Sequence, residues 1–147
     1  MDYTDWESQA KIEDMRGKVF TRVTGSVGGD TLVFENASER FVFYHAQDCC
    51  ESVDINDIVG DLEDLVGEPL FIAEEVHGAT EPDVEHYESY TYTFYKFATR
   101  KGYVDVRWLG ESNGYYSEGV DLFVEGVAVA ETPQPALGLL LREKLNG

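Results

Sequence analysis

The chain has 147 residues, the size of one domain, and its 43% hydrophobic and 13% aromatic content excludes intrinsic disorder even though 27% of residues are charged. The formal net charge is −18, from 29 acids against 11 Lys and Arg, which argues against direct nucleic-acid binding because affinity for phosphate comes chiefly from cationic side chains. A basic protein surface or a cation is attracted instead.

The first residues, Met1 to Glu7, have neither a basic n-region nor an apolar h-region. No stretch reaches the roughly 20 apolar residues of a membrane span, so the expectation is a cytoplasmic protein with no membrane partner. Asp2 to Met15 places Trp6, Ala10 and Met15 on one helical side and predicts a short helix. Gly17 ends it, and Val19 to Thr24 alternates in the β sense toward the Gly25 to Asp30 turn, from which Thr31 to Glu35 returns as the second arm of a hairpin. Arg40 to His45 is dense in β-branched and aromatic residues and predicts a strand.

Beyond it, Ile55, Ile58, Val59, Leu62, Leu65 and Val66 recur at helical spacing with Asp54, Asp57, Asp61, Asp64 and Glu68 on another side. This predicts an amphipathic helix with an acidic stripe, although its start fits a strand equally well. Gly67 and Pro69 stop it. Pro69 to Ala73 reads as strand, His77 to Glu88 as a polar loop, and Ser89 to Ala98 as the strongest strand of the chain. Tyr103 to Leu109 alternates back, Asn113-Gly114 marks a tight turn, and Val120 to Val124 completes a meander. Pro133 and Pro135 make a joint before a short C-terminal helix or docking tail, which divides the chain into a domain of residues 1–130 and a tail of residues 131–147.

Three groups of residues can carry function. The densest is His45, Asp48, Cys49, Cys50 and Glu51, whose thiolate, imidazole and carboxylate groups suit zinc or a related metal. Adjacent cysteines lack the usual two-residue gap of zinc sites, so two buried thiols in a reducing compartment are favoured, and a vicinal disulfide would close only a small ring. A cysteine nucleophile is opposed by the surrounding carboxylates, which raise a thiol pKa. No phosphate loop, nucleophile elbow or zinc-protease motif is present, and no cofactor is expected.

The second group is the acidic helix with Asp57, Asp61, Asp64 and Glu68, in a stretch between Arg40 and Lys96 that holds no Lys or Arg. Such a face can occupy the basic groove of a partner in the manner of a DNA mimic. The third is a hairpin tip with Trp108, Asn113, Tyr115 and Tyr116, aromatic residues of the kind that form contact hot spots or drive association into a homodimer.

The runs Tyr44 to Val53 and Asp57 to Pro69, with Tyr92 to Tyr95 and Arg107 to Glu118, resemble a family of small uncharacterised proteins common in bacteriophage genomes. The resemblance implies a phage-type protein in a bacterial cytoplasm, where small acidic proteins act stoichiometrically against host factors, including defence systems. It carries over no catalytic residue.

The fold expected is α+β: a twisted, mostly antiparallel sheet of about five to seven strands, one amphipathic helix on one face and short terminal helices. The function expected is that of a binding protein rather than an enzyme, blocking a host protein with a basic surface. A metal or small-ligand site at His45, Asp48, Cys49, Cys50 and Glu51, acting as sponge or hydrolase, is the alternative.

Overall fold

The computed structural model describes residues 3–83, 88–114 and 116–127. Nine strands are found among them: β1 (Tyr3–Gln9), β2 (Arg22–Thr24), β3 (Thr31–Glu35), β4 (Glu39–Tyr44), β5 (Ser52–Val59), β6 (Ile72–Asp83), β7 (Glu88–Thr99), β8 (Gly102–Ser112) and β9 (Asp121–Val127). They form two antiparallel sheets, one of five strands in the order β1-β9-β4-β3-β2 and one of four in the order β5-β8-β7-β6. The mostly antiparallel character follows the sequence expectation. The number of strands and their division between two sheets do not.

Alternation in the strands builds the core. On β8, Val104, Val106 and Trp108 point inward and are buried, whereas Tyr103 and Asp105 point out. On β3 and β4 the inward residues are Leu32, Phe34, Phe41 and Phe43. The two sheets meet through aromatic rings: Phe34 lies 4.8 Å from Phe97, and Phe43 lies 4.8 Å from Tyr95 and 5.8 Å from Phe97. Phe20, between the first turn and β2, adds an edge contact to Phe34 at 5.3 Å. Rings that interlock at such angles gain roughly 0.5 to 1.5 kcal/mol per pair beyond the area they bury.

The helix predicted around Asp57 to Val66 is not found, and the alternative that this stretch starts as a strand holds. Ser52–Val59 is β5, and only the 3₁₀ turn Leu62–Leu65 is helical in that stretch. The register of β5 against β8 shifts between Ile55 and Asp57, so Asn56 is a bulge that resets the alternation and lets Ile55 and then Ile58 face the core. Gly60, at φ +110°, breaks the strand, and a Cβ there would lie 3.2 Å from the Val104 Cα. The turn that follows buries Leu65 and packs Leu62 beside it. Core residues three and four apart thus imitate helical spacing without a helix, and no helix of seven or more residues occurs among the described residues.

Two other expectations change. The N-terminal segment pairs with β9 as β1, and the 3₁₀ turn Ile12–Met15 follows it. The predicted loop at 77–88 is largely the continued hairpin of β6 and β7, paired as far as Asp83 and Glu88, with residues 84–87 outside the described part. The tail expected at 131–147 lies outside the described residues.

If the aromatic seam holds the sheets together, Phe97→Ala should lower stability by about 3 to 5 kcal/mol in denaturant unfolding. Tyr103→Ala, at a side chain 66% exposed, should change it by less than about 0.5 kcal/mol.

Candidate functional site

Strand β4 ends at Tyr44 and delivers His45 to the edge of the core. Both imidazole nitrogens face acceptors. Nδ1 lies 2.7 Å from the carbonyl oxygen of Gly119, and Nε2 lies 2.6 Å from Oε2 of Glu51. A carbonyl and an ionised carboxylate can each only accept, an arrangement that favours the ring with both nitrogens protonated. Burial by itself lowers the His45 pKa, but the hydrogen bonds to Glu51 and Gly119 and the charges of Glu51 and Asp121 override it and raise the pKa above 6.5.

Glu51 organises the loop from Ala46 to Cys50. Its Oε2 also accepts the Asp48 N–H at 2.8 Å, and its Oε1 accepts the Cys49 N–H at 2.8 Å. Burial opposes the charge, yet the donors from His45, Cys49 and Asp48 bring the Glu51 pKa down from 4.5 to about 2. The Gln47 amide donates to the carbonyls of Cys49 and Glu51 at 3.0 and 2.6 Å, and Ala46 N–H donates to Asp121 Oδ2 at 2.9 Å.

The expectation of two buried thiols is corrected. Cys49 and Cys50 are exposed and joined in a vicinal disulfide, S–S 2.07 Å. The backbone held by Glu51 and Gln47 turns these two neighbours together. Their sulfurs are then neither thiolate ligands nor nucleophiles, and among the described residues no group of three His, Cys, Asp or Glu side chains is placed to hold a metal ion.

A second buried carboxylate, which the sequence reading missed, locks the neighbouring loop. Glu118 accepts from Thr91 Oγ1 at 2.8 Å and from the hydroxyls of Ser89 and Ser112. Ser112 Oγ in turn accepts the Gly114 N–H at 2.9 Å, and Gly114 takes φ +89° at the predicted tight turn. Because Gly119 accepts from His45 while Glu118 grips β7 and β8, this segment ties the end of the five-stranded sheet to the four-stranded one. Apart from Ser112, six residues from Glu118, the partners are remote in sequence: Thr91 lies 27 residues from Glu118, and His45 lies 74 from Gly119.

The first and third groups of sequence candidates therefore meet at one end of the molecule, with changes. Asn113 is exposed, Tyr116 is half-buried and Tyr115 lies outside the described residues. Trp108 is corrected from contact residue to core: it points inward from β8 between Ile55 and Thr93, fully buried, and its indole N–H finds no acceptor among the described residues.

Two hollows flank the 45–51 loop. One, of about 310 Å³, is lined by Cys50, Glu51, Ser52, Glu111, Ser112, Asn113 and Tyr116. The other, of about 440 Å³, is lined by residues that include Asp30, Thr31, Tyr44, Gln47, Ser52 and Asp54. Neither lining contains a Lys or Arg.

The second group of candidates is not assembled. Asp57 sits on β5 opposite Arg107. Asp61 caps the 3₁₀ turn by accepting the Glu63 N–H at 2.9 Å, and the backbone carbonyl of Asp64 accepts from Thr99 Oγ1. Glu68 pairs with Arg100 at 2.8 and 3.3 Å. Glu68 thus takes its cation from the turn before β8.

Residues 13–122 match a family described as a domain of unknown function, DUF7448. No curated protein and no solved structure matches the chain.

The His45–Glu51 pair sets a pH window. His45, with its pKa raised above 6.5, contributes stability that is full below 6.5 and is lost as pH rises through the raised value. Glu51, lowered to about 2, contributes stability that is full above 4.5 and is lost as pH falls toward 2. Denaturant midpoints should therefore peak between these limits, and Glu51→Gln should flatten the profile on both sides. At Gly110 a Cβ would stand 2.8 Å from the Glu118 Cβ and closer still to its carbonyl oxygen. Gly110→Ala should accordingly cost about 1 to 3 kcal/mol in the same assay.

Proposed function

The chain belongs to the DUF7448 family, a domain of unknown function, and from that premise we propose that it is a non-catalytic binding protein that docks its acidic loop end onto a basic protein surface and occludes it. The observation that carries this reading is the pair of hollows beside the 45–51 loop, rimmed by Asp30, Asp54 and Glu111 and lined without a Lys or Arg, the His45 ring in the larger one being already paired with Glu51. Each has the volume to take a Lys or Arg side chain from a partner. The loops between them are held in advance by Glu51 and Glu118, so little ordering cost remains on binding. Contact residues on loops at one end of a rigid sandwich are a common arrangement for recognition.

The version of this function that relies on an acidic helix imitating DNA loses its helix, because Asp57 lies on β5 while Asp61 caps the 3₁₀ turn that holds Asp64. The phage-type setting implied by the resemblance makes a host factor one partner of the required chemistry. A small-ligand or metal site at His45, Asp48, Cys49, Cys50 and Glu51 is the weaker proposal, since the sulfurs are bonded to each other and Glu51 is already filled with donors.

A labelled oligoarginine peptide is the probe. Replacing Asp30, Asp54 and Glu111 by their amides should weaken its binding at low salt about tenfold, or about 1.4 kcal/mol. A control with the same charge change at Glu13, Glu63 and Glu74, outside both hollows, should weaken it less than about twofold by the screening of separated surface charges. Equal losses in the two variants would count against the loop end as the contact surface.

A further inference from the structure

The outward face of the four-stranded sheet differs from the rest of this acidic surface. Tyr90, Tyr92 and Phe94 stand in a row on β7, with centroids 5.9 and 6.3 Å apart, and Arg107 of β8 lies over Tyr92 at 5.3 Å. Val76, Val59 and Tyr103 beside them are 43%, 60% and 66% exposed. A shallow groove of about 310 Å³ runs across this face, with Phe94 and Val76 in its lining. An antiparallel sheet that faces water carries mostly polar residues on that side, so an aromatic and aliphatic face marks a contact surface.

We propose that this face is where a second copy of the chain packs, sheet against sheet. Two chains of net charge −18 repel one another, so they approach most easily where cations offset the acids. Lys96 and Arg107, two of only 11 Lys and Arg, stand on this face among three acids, Asp57, Asp105 and Glu74.

The strand register also makes the face complementary to itself. Across β7 and β8, Lys96 is opposite Asp105, Phe94 is opposite Arg107, and Tyr92 is opposite Leu109. A two-fold axis parallel to the strands and between β7 and β8 lays β7 of one copy over β8 of the other. Lys96 then meets the second copy's Asp105, Phe94 meets its Arg107, and Tyr92 meets its Leu109. Each opposite-charge or cation-aromatic contact is made twice. Within one chain Lys96 and Asp105 are 3.8 Å apart and each is 51% exposed, so both remain available to a partner.

Sedimentation of the full chain tests this directly. Wild-type protein should be dimeric at roughly 10 μM or above, the range of a modest interface. Lys96→Glu and Asp105→Lys should each raise the dissociation constant at least about tenfold while circular dichroism stays unchanged, because these side chains lie outside the core. An equimolar mixture of the two variants should dimerise again. The carboxylate introduced in one copy then faces the ammonium introduced in the other, and the unaltered Asp105 and Lys96 of the same two copies make the second contact. A wild-type chain that stays monomeric, a dimer indifferent to both substitutions, or a mixture that stays monomeric overturns the proposal. The first of these outcomes gives the face to another occupant.

Discussion

A single carboxylate fixes the end of the molecule that carries the exposed loops. Glu51 accepts from the His45 ring and from two backbone N–H groups, and His45 spends its other proton on Gly119. A buried charge is tolerable only when its partners surround it, and this one is surrounded on three sides. The loop between His45 and Glu51 has no regular structure of its own, so its conformation is set by how those donors converge. Glu118 does the same for the opposing segment, with three hydroxyl donors in place of an imidazolium and backbone amides. The aromatic seam between the sheets supplies the rigid frame on which both carboxylates are mounted.

Charge is distributed over this frame in an ordered way. Arg100, in the turn between β7 and β8, pairs with Glu68, Lys96 of β7 pairs with Asp105 of β8, and Arg107 stands in register with Asp57 while donating to Asn56. The hollows at the loop end are lined without Lys or Arg, their one cationic ring being His45, which Glu51 already pairs, whereas Lys96 and Arg107 stand beside Asp57 and Asp105 in the groove of the sheet face. The two proposed surfaces adjoin on the four-stranded sheet, since Glu111 of one hollow is opposite Tyr90 and Asp54 of the other is opposite Leu109.

The sequence made the strands legible wherever alternation ran uninterrupted, as in Arg40 to Tyr44, Ser89 to Ala98 and Tyr103 to Leu109. It misled where a bulge intervened. Ile55 and Ile58 share the core side of β5 only because Asn56 is extra, and Leu62 and Leu65 follow on a 3₁₀ turn, so a strand and a turn together carry a helix's spacing. The polar stretch from His77 was read as a loop because backbone pairing needs no apolar side chains to continue. Local pattern also marked His45 and Glu51 as a cluster but not as an ion pair, since the partner that fixes the ring's protonation, Gly119, is remote in sequence. The cation-free stretch looked like one acidic face for a similar reason: the arginine that pairs with Glu68 comes from the turn between β7 and β8, which only topology brings near.

The protonation state of His45 tests the central claim most directly. Nitrogen-resolved NMR of the imidazole across a pH series reports each ring nitrogen separately. The geometry predicts a titration displaced above 6.5, with both nitrogens protonated on its acid side. A neutral ring in one tautomer, titrating at or below that value, would contradict it.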